Sequence, residues 1–154
     1  MLILPEAGRT ALERAALGGY PLEVCGFLIG EQEGGQRRVA RVEPAVNRWD
    51  ERPDLRPSRD EQDARRRYVI APEDLLAAIK RARRAGQAVI GVYHSHPNHP
   101  AEPSERDRRT AWPEWSYVIL STDGEALLDL RSWRLDEDSG RFVAEPVREA
   151  APAD

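Results

Sequence analysis

The chain has 154 residues, a net charge of −4 at neutral pH and a single cysteine, Cys25. This length suits one domain with its own core, the acidic balance gives no reason to expect a nucleic-acid partner, and one cysteine excludes an intrachain disulfide. The first six residues are too short an apolar run for a signal peptide, and no stretch reaches membrane-spanning length. We therefore expect a cytoplasmic protein without a membrane partner.

The first part of the chain predicts a helix followed by a β-hairpin. Residues 5–17 combine good helix formers with an apolar stripe and run into Gly18 and Gly19, where the helix should end. Residues 24–30 form a short apolar run bounded by glycine, which is typical of a buried strand. Residues 38–42 alternate between polar and apolar side chains, so they predict the returning strand of the hairpin.

Charged residues of both signs dominate residues 48–67, and Pro53 and Pro57 interrupt them. Such a composition cannot bury apolar surface, so we expect a long mobile loop. The loop could order on a substrate, although a solvated insertion is the simpler interpretation. Residues 150–154 are expected to be a disordered tail, which leaves residues 1–149 as a single domain.

The second half of the chain predicts one helix and several strands. The helix should begin at Pro72 and end at Gly86, and the buried strand at residues 88–93 leads directly into His94. The other predicted features are an apolar helix face at Leu75, Leu76, Ile79 and Ala82, and strands at residues 116–121, 127–133 and 142–143. Helices interleaved with strands indicate an α/β domain with a mixed central sheet covered by helices.

All three histidines lie within residues 94–99. His94 and His96 stand two apart at the carboxyl end of a predicted strand, so both rings can point to one face. Asp107 follows in the predicted first turn of a helix. Two imidazoles and a carboxylate suit Zn²⁺ with a coordination position left open for catalysis, although ligand types alone also allow iron or manganese. We interpret His99 as a loop residue.

Three nearby residues have both an ordinary and a functional interpretation. Ser104 and Asp107 have the spacing of a helix capping box, which is the better interpretation in isolation; beside two histidines, Asp107 supplies the ligand that they lack. Glu23, just before the first buried strand, is the candidate for proton transfer, although such a glutamate is usually a solvated strand end. Cys25 invites a nucleophile hypothesis, but a small buried residue is the better interpretation.

The motif residues together resemble a known family. The segments Glu23–Gly30 and Tyr93–Pro97, followed by Ser104 and Asp107, resemble the JAMM (MPN+/Mov34) metalloproteases in their small prokaryotic form. The resemblance covers nearly the whole chain and extends to Asn47, Pro72–Leu75 and Trp112–Pro113.

This resemblance implies a fold similar to cytidine deaminases. It implies Zn²⁺ held by His94, His96 and Asp107 with water in the fourth place. Glu23 would activate that water as general acid/base, and Ser104 would help to hold the oxyanion of the tetrahedral intermediate. The implied reaction is hydrolysis of a peptide or isopeptide bond after the C-terminal Gly-Gly of a ubiquitin-like protein. For small bacterial members that protein is a sulfur carrier.

Other functions and assemblies stay open. The fold also occurs in non-catalytic metal-binding interaction modules, although the complete set of motif residues argues against one. A small-molecule zinc amidase is a further alternative, whereas a deaminase is disfavoured because its Pro-Cys-x-x-Cys ligand run is absent. Trp112 or Trp115 could serve a homodimer or the substrate, although aromatic residues near strand ends belong more often to the core.

Overall fold

Residues 1–56 and 67–150, which the computed structural model describes, form one mixed sheet with three α-helices. The elements are β1 (Leu2–Pro5), α1 (Glu6–Gly19), β2 (Cys25–Glu33), β3 (Gln36–Ala45), a 3₁₀ turn (Pro53–Leu55), α2 (Pro72–Arg84), β4 (Ala88–Pro97), α3 (Glu105–Thr110), β5 (Ser116–Thr122), β6 (Leu127–Asp136), β7 (Arg141–Glu145) and β8 (Val147–Ala150). The strand order is β7-β6-β5-β4-β2-β3-β1-β8.

Most of the predicted elements are confirmed, but the sequence analysis missed β1 and β8. These short strands pair in parallel with each other, and β1 also pairs in parallel with β3. The apolar residues of β1 are fully buried between its two neighbours, so the opening run of the chain is a core strand. Ala150, expected to belong to a disordered tail, is the last residue of β8, whereas residues 151–154 lie outside the described part of the chain.

Helices cover both faces of the sheet. Leu12 of α1 packs in one core cluster with Leu28 of β2, and Ala78 of α2 packs in a second cluster with Phe27. Since neighbouring residues of a strand point to opposite faces, α1 and α2 lie on opposite sides of the sheet. The predicted α/β class, with a mixed sheet between helices, is confirmed; the likeness to cytidine deaminases stays a prediction.

Helix α2 differs in one respect from the predicted apolar face. Leu76 is 52% exposed, whereas the small residues Ala78 and Ala82 are fully buried. Leu75 and Ile79 are only partly buried against the sheet. The face that approaches the sheet is therefore centred on alanines, which allow the helix backbone to lie close to the strands. None of the helices within the described ranges has the length and apolar character needed to cross a membrane.

The charged segment after β3 was misjudged in its described part. Trp49 is fully buried and packs with Val69 and the half-buried Leu55. The guanidinium of Arg56 lies 4.9 Å from the centre of the Trp49 ring, and Arg56 also donates a hydrogen bond to the Trp49 carbonyl. The expectation that residues 48–67 cannot bury apolar surface is therefore wrong for Trp49. The predicted mobility of the loop falls mostly on residues 57–66, which lie outside the described residues.

Strand β4 occupies the middle of the sheet and carries the histidines. It pairs antiparallel with β2, so that Cys25 is opposite His94, and parallel with β5, so that His96 is opposite Ser121. The connection from β4 to β5 contains α3. The parallel strands β4 and β5 have their carboxyl ends at the same end of the sheet. β4 therefore places both histidines at the end where the connection to β5 begins.

Candidate metal centre

Two histidine side chains meet at the carboxyl end of β4. His94 and His96 lie two residues apart in the strand, and their Nε2 atoms are separated by 3.0 Å. His96 Nδ1 lies 2.7 Å from the carbonyl oxygen of Pro100, so we assign the ring proton to Nδ1, which leaves a lone pair on Nε2. The ring of Tyr68 stacks on His94, with 4.5 Å between the ring centroids.

Two buried carboxylates face the histidine pair. Asp107 Oδ2 lies 3.5 Å from His94 Nε2, and Glu23 Oε1 lies 4.0 Å from His96 Nε2. Glu23 and Asp107 are 7% and 9% exposed. Among the described residues, Glu23 Oε2 and His94 Nδ1 are buried without a hydrogen-bond partner. An unpaired polar group in the interior costs free energy, which a bound ligand can offset.

Asp107 is also part of the helix cap that the sequence analysis left as an alternative. Ser104 Oγ accepts a hydrogen bond from the Asp107 amide at 3.1 Å, and Asp107 Oδ2 accepts one from the Ser104 amide at 2.8 Å. These reciprocal bonds are a complete capping box. Because the same Oδ2 atom faces His94, capping and ligation are compatible, and the cap holds the carboxylate in place.

The donor atoms fit a zinc ion. Tetrahedral zinc with metal–nitrogen bonds of about 2.0–2.1 Å places neighbouring donors roughly 3.3 Å apart. The separations of 3.0 Å between the two Nε2 atoms and 3.5 Å from His94 to Asp107 bracket that value. The compact group of donor atoms, all within 4.8 Å of one another, consists of Glu23 and both histidines, and Asp107 is not part of it. Asp107 approaches His94 alone, so the ligand set of His94, His96 and Asp107 stays a prediction.

The electrostatics of the site favour neutral His96 and ionised Asp107. Burial, followed by the charge of His94, lowers the pKa of His96 to about 4. Burial alone would raise the pKa of Asp107, but the interactions with His94 and the Ser104 amide together outweigh burial and hold this pKa well below its usual range. Burial likewise disfavours the charged form of His94, yet Asp107 raises its pKa overall. The site thus favours the protonated, positively charged form of His94 beside the ionised carboxylate of Asp107.

Glu23 has an electrostatic environment different from that of Asp107. Burial raises its pKa to about 7, the Asp107 carboxylate adds to the shift, and His94 opposes it. In contrast to Asp107, Glu23 receives no bond at its buried Oε2 atom from a backbone amide of the described residues. This environment suits a group that gains and loses a proton during a reaction.

Side chains fix the loop that follows His96. The carbonyl of His99 accepts a hydrogen bond from Ser121, and the carbonyl of Ala101 accepts one from the Trp133 indole at 3.0 Å. Since His96 Nδ1 also bonds to the Pro100 carbonyl, side chains hold the carbonyl oxygens of the three consecutive residues 99, 100 and 101. The loop therefore places Ser104 at a cleft of about 400 Å³, whose lining also includes Glu23, Tyr68, His96, His99, Arg106 and Asp107.

Some residues that contact the site were not predicted. Tyr68 lies far from His94 in the chain, and no sequence pattern indicated that the two rings would stack. Arg106 donates a hydrogen bond to the Tyr68 carbonyl at 2.9 Å and lies 4.4 Å from the centre of the Trp49 ring. Ser95 stands between the histidines in the chain and was given no role, yet its Oγ atom accepts a hydrogen bond from a backbone amide at 2.8 Å.

Cys25 and His99 take the roles that the sequence analysis favoured. Cys25 is 1% exposed, and burial raises the pKa of its thiol to about 12, so the nucleophilic thiolate is disfavoured. His99 is exposed and does not belong to the compact group of Glu23, His94 and His96. The predicted site residues therefore remain the two histidines, the two carboxylates and Ser104, and their roles stay predictions.

Sequence comparisons identify proteins similar to this chain. The profile of Prok-JAB, prokaryotic homologs of the JAB domain, matches residues 5–136. A desampylase of Haloferax volcanii is 33% identical over 123 residues, which is 79% of this chain and 77% of that protein. A desampylase of Pyrococcus furiosus is 30% identical over 138 residues, covering 88% of this chain and 82% of the relative.

Solved structures share the fold over almost the full length. A solution structure of a protein from Salinibacter ruber is 35% identical and superimposes with a TM-score of 0.69, covering 99% of this chain and 93% of the other. A second solution structure, from Desulfitobacterium hafniense, is 27% identical with a TM-score of 0.75, covering 99% and 96%. The described sheet and helices therefore have counterparts in both of these proteins.

Proposed function

Because the chain belongs to the family of prokaryotic JAB-domain proteins and is a JAMM-type metallopeptidase, we propose that it is a zinc-dependent peptidase or isopeptidase. Its substrate is the bond after the C-terminal Gly-Gly of a ubiquitin-like protein, with a sulfur carrier as the partner. The observation that carries this proposal is the convergence of two histidines and two buried carboxylates. The similarity to two desampylases supports a ubiquitin-like modifier in the substrate.

The proposed ligands of the zinc ion are His94, His96 and Asp107. When bound, the ion would polarise the scissile carbonyl and make a water molecule more acidic. His96 presents Nε2 because its Nδ1 is bonded to the Pro100 carbonyl. Asp107 is oriented by its bond from the Ser104 amide. Such outer contacts fix the direction of a ligand and tune its affinity for metal.

Glu23 is the proposed acid/base. Its carboxylate is buried 4.0 Å from His96, and its Oε2 atom has no hydrogen-bond partner among the described residues. It accepts a proton from the attacking water as the new carbon–oxygen bond forms. It then delivers this proton to the nitrogen of the leaving amine as the carbon–nitrogen bond breaks, so that charge and atoms balance.

Ser104 is the proposed donor to the carbonyl oxygen of the substrate. Its Oγ atom accepts a hydrogen bond from the Asp107 amide, which leaves the hydroxyl proton free to be donated. Ser104 also lines the cleft together with His96 and Glu23. A hydroxyl donor at this position stabilises the negative charge that develops on the oxygen during attack.

The shape of the substrate agrees with this cleft. Two consecutive glycines lack side chains beyond Cα, so their backbone can approach a narrow site and lie extended along a strand. The proposal therefore requires a thin, extended segment immediately before the scissile bond.

The test combines zinc content with turnover of a Gly-Gly substrate. Native mass spectrometry would compare wild type, Glu23→Gln and His96→Ala after zinc loading and desalting. We expect one zinc per chain in wild type and in Glu23→Gln, with hydrolysis reduced by a factor on the order of 10²–10⁴ in the latter because the proton acceptor is lost. His96→Ala should lose both zinc and hydrolysis.

The same assay distinguishes the alternatives. The substrates would be a ubiquitin-like protein joined through its Gly-Gly carboxyl group to an amine, and a panel of small amides. Retained turnover in Glu23→Gln would contradict the role of this residue. Turnover of small amides alone would favour an amidase, and zinc binding without any turnover would favour a non-catalytic module.

A further inference from the structure

Glu23 lies just outside the strand that follows it. The pairing of β2 with β3 and with β4 begins at Cys25, so Glu23 and Val24 are not held by the ladder. The Glu23 carboxylate has no hydrogen-bond partner at Oε2 among the described residues. Since the side chain is not anchored at this atom, its position depends on how the backbone of Glu23 and Val24 is held.

Asn47 holds this backbone on one side. Its Nδ2 atom donates to the carbonyls of Glu23 and Arg67, both at 3.0 Å. Its Oδ1 atom accepts from the amides of Trp49 and Val69, both at 3.1 Å. An amide side chain has two donors and an oxygen with two lone pairs, so the hydrogen-bonding capacity of Asn47 is fully used on backbone atoms.

Ser95 holds the same backbone on the other side. Its Oγ atom accepts from the Val24 amide at 2.8 Å, and its own amide donates to the Val24 carbonyl at 3.0 Å. Ser95 is fully buried and lies between His94 and His96 in β4. The segment that carries Glu23 is therefore tied directly to the strand that carries the histidines.

We propose that Asn47 and Ser95 are positioning residues that set the location of the Glu23 carboxylate relative to the histidine pair. The proposal rests on the role of Glu23 in the proposed function. Asn47 also holds the backbone on both sides of Tyr68, because it bonds to the Arg67 carbonyl and the Val69 amide. The ring of Tyr68 stacks on His94. One amide thus aligns the acid/base and a ring that packs against a proposed ligand.

The first experiment measures geometry and does not require activity. Amide hydrogen exchange at Val24 would be followed by NMR in wild type, Asn47→Ala and Ser95→Ala. We expect exchange at this amide to be about five- to tenfold faster in Ser95→Ala, which removes the acceptor of its hydrogen bond. It should also be faster in Asn47→Ala, which frees the Glu23 carbonyl of the same peptide group. The matched control is Ser132→Ala. This variant also removes a buried serine hydroxyl, which donates a hydrogen bond to Glu145 at 2.8 Å, and it should leave the exchange rate of the Val24 amide unchanged.

The second experiment separates positioning from a purely structural role. In Asn47→Ala and Ser95→Ala we expect kcat to fall about 10- to 100-fold while KM changes by less than about twofold, because supporting contacts typically have effects of this size. Both variants should retain one zinc per chain. Ser132→Ala should keep the kcat of wild type at a temperature where every variant is folded, even if its melting temperature falls.

Three results would overturn the proposal. They are unchanged exchange at Val24 in both variants, a wild-type kcat in both folded variants, or an equal loss of kcat in Ser132→Ala. If Asn47→Ala does not fold, Ser95→Ala tests the same carboxylate through an independent bond. If wild type itself does not hydrolyse the substrate, the proposed function is wrong, and the exchange rates still decide whether these side chains hold the backbone of Glu23 and Val24.

Discussion

At the scale of single residues, Asp107 combines two interactions on one carboxylate. Its Oδ2 atom accepts the bond from the Ser104 amide at 2.8 Å and faces His94 Nε2 at 3.5 Å. The capping box alone would explain the spacing of Ser104 and Asp107, and the histidine pair alone would explain the need for a carboxylate. Substitutions at the two positions separate these effects, because only Asp107 is a proposed ligand.

We expect Asp107→Ala to lose zinc and Ser104→Ala to retain it. Ser104→Ala removes the cap oxygen, which should lower the free energy of unfolding by about 1 kcal/mol. The same variant should lower turnover by a factor on the order of 10²–10³, because the hydroxyl donor is lost. Native mass spectrometry, urea denaturation and the turnover assay measure the three effects. Full zinc occupancy in Asp107→Ala would show that Asp107 is a cap only and would make Glu23 the better candidate for the third ligand.

The residues that could be predicted are those whose chemistry is local in the chain. His94, His96, Ser104 and Asp107 belong to one short motif, so spacing and alternation were enough to bring them together. Glu23 was found through the resemblance, because a glutamate before a strand has no distinctive pattern. The four bonds of Asn47 join segments that are distant in sequence, and periodicity contains no information about such contacts.

At the scale of elements, the packing of β2 between its two neighbours leaves no room for a side chain at Gly26. A Cβ atom placed on Gly26 would lie 2.4 Å from the carbonyl oxygen of Glu43 and 2.4 Å from Cε1 of Tyr93. Glu43 is in β3 and Tyr93 is in β4, so the glycine allows both to approach. Gly18 in α1 is the opposite case, because in the described part of the chain no atom outside its own helix lies within 4 Å of its added Cβ.

Alanine should therefore have opposite effects at the two glycines. Gly26→Ala is expected to destabilise the protein by about 1–3 kcal/mol through overpacking. Gly18→Ala should stabilise it by about 0.5–1 kcal/mol, because alanine loses less conformational freedom in a helix. Equilibrium urea denaturation of the two variants checks both signs. A neutral Gly26→Ala would mean that β2 and its neighbours can separate at little cost.

The elements that sequence patterns mispredicted were decided by tertiary packing. Strand β8 is short and half exposed, so its residues show no strong alternation. Trp49 lies among charged residues, yet it is buried because Arg56 and Arg106 stack over its ring. The leucine at position 76 fits the helical stripe, but the alanine side of α2 packs on the sheet.

At the scale of the whole molecule, a buried charge network joins distant strands. Glu145 Oε2 in β7 lies 3.5 Å from Nη1 of Arg37 in β3, and both side chains are 1% exposed. Glu145 Oε1 accepts hydrogen bonds from Ser116 in β5 and Ser132 in β6. The network does not include the histidines, so we expect it to contribute to the free energy of unfolding and not to the candidate site.

Removal of the buried carboxylate should be costly. Glu145→Ala leaves the Arg37 guanidinium buried without its acidic partner, which is expected to destabilise the protein by about 3–5 kcal/mol. The matched control is Glu149→Ala, since the pair of Glu149 and Arg9 is 67% and 44% exposed and such surface pairs contribute about 0–1 kcal/mol. Urea denaturation measures both variants at neutral pH. Equal stability of the two variants would contradict an essential pairing at Glu145.

The pairing of β1 with β8 has a consequence for how the chain assembles. Leu2 is opposite Val147 in this parallel pair, so forming it closes almost the entire described chain into one loop. Loop-closure entropy rises with the length of chain enclosed, and contacts between remote segments raise the contact order and slow folding. The hairpin of β2 and β3 encloses only a short turn. The loop closure with the largest entropic cost is therefore located at the β8 edge of the sheet. Three strands separate β8 from β4, the strand that carries the histidines.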